Sequence, residues 1–249
     1  MSDRQAPTAP TDRHLDWEGC FNIRDLGGLP LTGGGTTRRG AVIRADNPGR
    51  LTPAGWSALV AHGVRTIVDL RNHDELTGDL HPRPSALTTV HVPLDDAADT
   101  AFWTHVQDNG LHGSPLYYRP FIDRKARQCA AALTAIAEAH PAGVLFHCGL
   151  GRDRTGLITL LLLTLTGVTP HQIATDYALS TTRLPPLFTA LAIPDQTAEI
   201  QATLTQKNTT AHTALLNTLT DLNIEAHLQA SGLTPQHIQA LRDRLLPTP

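Results

Sequence analysis

The spacing of apolar residues changes along this chain, and the change predicts its elements. In the first 150 residues short apolar runs alternate with helical patterns, whereas every later segment reads as helix. Residues 41–45, 64–70, 87–92 and 143–147 read as strands, and the β-branched run at 64–70 predicts burial on both faces, as in a parallel sheet. Thr52 and Pro53 start a helix that stops at Gly63. A second helix covers 124–140, with Leu133 and Ile136 inward, and breaks at Pro141 and Gly143. A very apolar helix follows from about Arg154 to Thr166, and Thr169-Pro170 opens another that runs to about Leu179. Helices at 196–206, 209–220, 224–230 and 234–246 complete the chain, and three glycines within 31–39 predict a hairpin loop.

This order predicts one α/β domain: a central, mostly parallel sheet flanked by helices, with a helical C-terminal layer. Residues 1–13, rich in Pro, Ala and Thr, read as a disordered tail, and 14–249 as the single domain. The least regular stretch, 94–123, carries Trp103, Tyr117, Tyr118 and Phe121. It reads either as a lid over an active site or as a packed insertion.

Composition narrows the function. Apolar residues make up 41% of 249, enough for a sizeable core. Twenty basic residues stand against 23 acidic ones, a net charge of -3, which argues against a general nucleic-acid binder. Only Lys125 and Lys207 are lysines. Cys20, Cys129 and Cys148 form no Cys-x-x-Cys pair, so neither a disulfide scaffold nor a cysteine-rich zinc site is expected, and the compartment reads as reducing and cytoplasmic. The 13 histidines show no metal-ligand spacing, so no metal and no cofactor is expected. The N-terminus lacks the pattern of a secretory signal. The longest apolar run, 157–165, is too short to span a bilayer, so no membrane anchor is expected.

The candidate chemistry lies between the last strand and the apolar helix, in His147-Cys148-Gly149-Leu150-Gly151-Arg152-Asp153-Arg154-Thr155-Gly156. Strand, glycine loop and helix start form an anion site: loop amides converge on the ligand, and the helix adds its positive end. Arg154 offers two parallel donors to two phosphoryl oxygens. The same field favours Cys148 as a thiolate nucleophile. Gly149 and Gly151 let the loop turn tightly. Thr155 is placed to donate to the Cys148 sulfur, and His147 to orient the loop. A free cysteine is more often a small buried hydrophobe. That plain reading suits Cys20 and Cys129, but it does not account for the residues that surround Cys148.

This loop resembles the signature of the protein tyrosine phosphatases. It is most similar to the bacterial tyrosine, dual-specificity and phosphoinositide phosphatases, whose usual form is His-Cys-x-x-Gly-Lys-Asp-Arg-Thr-Gly. The stretch Asn22-Ile23-Arg24-Asp25-Leu26-Gly27-Gly28 resembles that family's Asn-x-Arg-Asp-Leu-Gly-Gly motif. Arg44-Ala45-Asp46, Asp69-Leu70-Arg71 with Glu75, and Asp176 to Ser180 fit as well. The resemblance implies a metal-independent phosphomonoesterase working through a phosphocysteine on phosphotyrosine or phosphoserine/threonine of proteins. The same chemistry on a small-molecule or nucleotide phosphate, or on a phosphoinositide, is the alternative. A sulfurtransferase or a non-catalytic phosphate binder fits the loop less well.

Arg152 stands where the family usually has Lys, which keeps the charge but changes the shape. The chain has no Trp-Pro-Asp loop, so the resemblance gives the general-acid role to Asp153, with Asp69 as the other candidate. Gly149, Leu150, Gly151, Arg152, Arg44, Asp46 and Asn47 are expected around the phosphate. Arg24, Asp69 and Arg71 are expected in supporting ion pairs, with Asp176 and Tyr177 bracing the loop.

Overall fold

Apolar side chains on both faces of the predicted strands require cover on both sides, and the fold supplies it. The computed structural model describes residues 13–247. The expected tail therefore lies outside the described residues except for Arg13, which is buried and bonded to the carbonyl of Asp25 and to Asp176.

Five strands form one sheet in the order β1-β2-β5-β3-β4. They are β1 (Arg24–Asp25), β2 (Val42–Ala45), β3 (Val64–Asp69), β4 (Thr88–His91) and β5 (Gly143–His147). β2, β5, β3 and β4 are parallel to one another, and β1 lies antiparallel at the edge. Ile43, Ala45, Ile67 and Leu145 point to one face, where α1 (Pro53–Ala61) packs with Trp56 and Leu59. Val42, Val68, Val144 and Phe146 point to the other face. That face is covered by α3 (Tyr118–Glu138) and α4 (Asp153–Leu165), with most of the C-terminal helices behind them. α4 is buried nearly all round beyond its first turn, as its mostly apolar composition requires.

Besides α2 (Thr100–Asp108), a helix within the stretch read as irregular, three elements differ from the sequence pattern. β1 consists of two charged residues, which strand propensity disfavours. It forms because the Asp25 carboxylate accepts from the backbone N–H groups of Gly27 and Gly40, at 2.8 Å each, while Arg24 is paired internally. α3 starts at Tyr118 rather than at 124, and Lys125 sits at a kink with φ -118° and ψ 28°. Pro120 is tolerated because first-turn N–H groups have no partner within a helix.

The third difference is in α5 (Pro170–Leu191), which continues twelve residues past Leu179 in spite of Pro185 and Pro186. The two prolines lie on the exposed side, while Leu184, Leu187 and Phe188 on the opposite side form a small core with Phe21 and Leu150. The missing backbone bonds thus face water, and packing holds the helix together.

Between β4 and α3 runs α2 (Thr100–Asp108), capped by the Asp99 side chain. Phe102, Trp103, Tyr117, Tyr118 and Phe121 stack edge to face. The last four helices are α6 (Thr197–Gln206), α7 (Ala211–Leu219), α8 (Ile224–Ala230) and α9 (Pro235–Leu245). Among the described residues no helix is long and apolar enough to cross a membrane.

Candidate active site

The parallel strands end almost level. His147 pairs with Ala45 on one side and Asp69 on the other, and Asp69 pairs with His91. Chain leaving β2, β3, β4 and β5 therefore gathers at one edge, where parallel sheets place ligands. There a cavity of about 310 Å³ is lined by Cys148, Gly149, Leu150, Arg152, Asp153 and Arg154, facing Glu75, Asp95, Trp103 and Tyr117.

Cys148 is only 3% exposed, and its sulfur accepts a hydrogen bond from Thr155 Oγ1 at 3.2 Å. It sits where β5 turns toward the N-terminus of α4, so the helix dipole points at the sulfur's surroundings. His147 is fully buried, with Nδ1 3.0 Å from the Cys148 carbonyl oxygen. Burial pulls its pKa down to about 4 although Asp69 lies close, so the ring is neutral near pH 7 and serves to hold the loop.

Gly151 adopts φ +67°, and a Cβ there would lie 2.4 Å from the Ala45 carbonyl oxygen. Gly151→Ala is expected to cost roughly 1–3 kcal/mol and to weaken inorganic phosphate binding, measured by thermal denaturation and by titration calorimetry. An unchanged Tm would refute the requirement for glycine.

Behind the loop three buried guanidinium groups converge on one buried carboxylate. Asp176 of α5 accepts from Arg13 at 2.7 Å, Arg24 at 3.0 Å and Arg44 at 2.8 Å. Burial alone would raise the Asp176 carboxyl, but the three arginines outweigh it and hold the group far below the usual carboxylate range. Burial and the neighbouring Arg44 lower Arg24 to about 10. Arg44 also donates to the Gly151 carbonyl at 2.7 Å, which ties the network to the loop.

Arg44, Asp46 and Asn47, expected around the phosphate, are not among the residues that line this cavity. Arg44 is turned back toward Asp176. Asp46 is fully buried and accepts from the N–H groups of Phe21 and Asn22 and from the Cys20 sulfur. Burial raises its pKa to about 6. Asn47 caps the turn at Pro48–Arg50 and its own N–H donates to Gly149 O. Arg44 thus holds the loop from behind, while Asp46 and Asn47 line a neighbouring cavity with Gly149, Leu150 and Glu75.

Asp69 is also away from the cavity lining. Its oxygens accept from Arg71 Nε at 3.0 Å and Nη2 at 2.7 Å. Burial works to raise its pKa, and the Arg71 hydrogen bonds overcome it and hold it low. Arg71 thereby completes the supporting pair expected for it.

Arg154 and Asp153 both have protein partners. Both Arg154 Nη groups bond Glu75, Nη2 to Oε1 at 2.6 Å, and Nη1 also lies 3.2 Å from Asp95 Oδ2. Glu75 is itself held by the Asn72 N–H at 2.7 Å. Burial works to raise the Glu75 carboxyl, but Arg154 and Asn72 hold it below its ordinary range. Asp153 accepts from Arg152 on both oxygens, at 3.1–3.2 Å, and Arg152 Nη2 also donates to Gln196 at 3.0 Å. Tyr118 fixes the Asp153 carbonyl at 2.8 Å.

The pattern reading did not place Glu75 beside Arg154 and did not find Asp95 or Gln196. A signal existed for the first two. Both follow the ends of parallel strands, as Cys148 does, and those ends share one edge.

Residues 15–247 match a family model described as the tyrosine phosphatase family. The chain is 35% identical over 154 residues to a tyrosine-protein phosphatase of Nostoc commune, covering 56% of this chain and 48% of that protein. It is 30% identical over 191 residues to a putative tyrosine-protein phosphatase of Cupriavidus necator, covering 72% and 68%. It is 28% identical over 198 residues to a triple specificity protein phosphatase of Mycobacterium tuberculosis, covering 68% and 70%. The chain thus spans about half the length of the first of these relatives and over two thirds of the other two.

Proposed function

The chain belongs to the tyrosine phosphatase family, and from that premise we propose that it is a cysteine-dependent phosphomonoesterase acting on phosphotyrosine or phosphoserine/threonine of proteins. The observation that carries this reading is the position of the Cys148 sulfur, in a cavity with Thr155 as its donor and Arg154 in the wall.

The phosphoryl group sits over the loop amides, and Arg154 grips two of its oxygens. Cys148 attacks phosphorus, the P–O bond to the alcohol breaks, and a carboxyl group in the cavity gives the leaving oxygen a proton. Family resemblance assigns that proton to Asp153. Water then attacks the phosphocysteine, the P–S bond breaks, and inorganic phosphate leaves. Thr155 stabilises the sulfur each time it carries negative charge. Trp103 and Tyr117 in the cavity wall suit a flat aromatic group on the substrate. Three free, buried cysteines support a reducing, cytoplasmic setting.

A panel of phosphopeptides against phosphorylated metabolites tests the substrate class. Faster turnover of every metabolite than of every peptide would overturn the protein-phosphatase reading.

Arg154→Lys keeps the charge and loses the planar fork. Turnover of an aryl phosphate is expected to fall roughly 10²-fold or more, because the fork acts most strongly on the transferring group. A near-normal rate would hand the clamp to Arg152.

A further inference from the structure

The cavity that holds Cys148 has a neighbour. A second cavity, of about 170 Å³, shares Gly149, Leu150 and Glu75 with it, so the start of the phosphate loop lies between the two. A substrate seated over the loop by its phosphate is therefore in reach of the second space. That space is smaller than the roughly 300–1,000 Å³ that takes a whole small-molecule ligand, which fits it to a single side chain.

Its lining is of two kinds. Leu150, Leu187 and Leu191 supply the apolar part, the last two from the turns of α5 that run on past Pro185 and Pro186. An aliphatic group gains by leaving water against them, and a carboxylate loses. Among the polar residues, Asp46 is already engaged by the amides of Phe21 and Asn22, and Arg71 by Asp69. Asn47 and Arg50 keep donors to spare. Asn47 accepts from the Gly49 N–H through Oδ1 at 3.0 Å, and its Nδ2 has no partner among the described residues. Arg50 Nη2 gives one hydrogen bond, to the Ala190 carbonyl at 3.2 Å, and among the described residues no carboxylate pairs with it. Main-chain carbonyl oxygens of an extended peptide suit such donors.

The segments that line this cavity also carry exposed apolar residues. Thr77 is in the lining, and Leu76 and Leu80 beside it in the chain are 43% and 64% exposed. Ile193, two residues past Leu191, is 39% exposed. Large apolar side chains left in water around a site mark a surface that meets a partner. The segment with Leu76 and Leu80 is anchored, since the Leu80 N–H donates to Gly49 O at 2.7 Å and Asp79 pairs with Arg83 at 2.8 Å.

We propose that the second cavity is the specificity pocket for the protein substrate. It takes an aliphatic side chain one or two positions from the phosphorylated residue, while Arg50 and Asn47 bind the peptide carbonyl groups beside it. This rests on the protein-phosphatase reading above and narrows it to peptides with an aliphatic neighbour. The phosphate fixes the peptide over the loop, and the neighbouring side chain decides how well the rest of it is held.

The test measures kcat/KM on short phosphotyrosine peptides that carry Leu, Asp or Gly, one position at a time, at the two positions on either side of the phosphorylated residue. Phenyl phosphate serves as a substrate too small to reach the second cavity. Leu at the position that reaches the pocket is expected to raise kcat/KM roughly tenfold or more over Asp or Gly. Thr77→Trp, at an exposed lining position, fills the pocket, and Leu191→Asn makes it polar. Both should abolish the preference for Leu. Arg50→Gln should lower kcat/KM for every peptide. All three variants should leave hydrolysis of phenyl phosphate unchanged.

Equal kcat/KM for all the peptides, a preference for Asp, or a preference for Leu that survives Thr77→Trp overturns the proposal and leaves the phosphatase reading standing. If Leu191→Asn fails to fold, Thr77→Trp decides. Hydrolysis of phenyl phosphate through Cys148 with no peptide hydrolysed would defeat the protein-substrate reading and the proposal with it. Absence of Cys148-dependent hydrolysis even of phenyl phosphate would instead defeat the phosphatase reading itself.

Discussion

Cys148→Ser is expected to bind inorganic phosphate and to lose turnover by roughly 10⁴-fold or more, the scale on which enzymes fail when their nucleophile is removed. The serine hydroxyl is a far weaker nucleophile near pH 7, and no side chain in the cavity is placed to activate it. His147 is turned toward the Cys148 carbonyl and is buried behind the loop. The groups that hold the anion stay as they are: the loop amides, the start of α4 and Arg154. Titration calorimetry with phosphate and stopped-flow hydrolysis of an aryl phosphate measure the two halves separately. Retained turnover in Cys148→Ser would exclude a phosphocysteine. Lost turnover together with lost phosphate binding would mean that the sulfur shapes the cradle as well as attacking.

The other large effect is expected on stability, at Asp176. Its carboxylate is fully buried and receives Arg13, Arg24 and Arg44, all of them buried. Breaking a buried ion network by removing one partner leaves uncompensated charge, and here three guanidinium groups would share that fate. Asp176→Asn is expected to cost about 3–5 kcal/mol, read as a fall in the denaturant midpoint. A change within error would mean that water reaches the network.

The pH dependence has a definite sign. The three arginines hold the Asp176 carboxyl low in the folded state, so the unfolded chain takes up the proton first as the pH falls. The stabilisation is therefore complete well above the ordinary carboxylate range, near pH 4. It is lost progressively as the pH falls below that range toward the depressed folded value. The unaltered protein should lose stability more steeply than Asp176→Asn in that acid window. Because Arg44 also donates to Gly151 O, the variant should weaken phosphate binding too.

What was legible in the sequence was local. Nucleophile, loop amides, Thr155 and Arg154 lie within one strand–loop–helix passage, so their spacing fixes their relation before any tertiary contact is known. The same holds for β3, whose apolar run predicts burial on both faces, and for the Thr-Pro helix starts, which the structure places at α1, α5 and α9.

Tertiary structure decided whatever depended on two distant segments meeting. Glu75 and Asp95 reach the cavity because β3, β4 and β5 end level, and that register is not written in any one strand. Arg44 and Asp46 also sit at a strand end, yet their side chains turn away. Asp176, more than a hundred residues later, captures the first, and the amides of Phe21 and Asn22 capture the second. α5 passes through two prolines because Leu184, Leu187 and Phe188 find a core in Phe21 and Leu150. In each case the sequence by itself determined which groups were present. Long-range packing and charge pairing decided where they point, since a buried charge must take whatever partner the fold brings within hydrogen-bond reach.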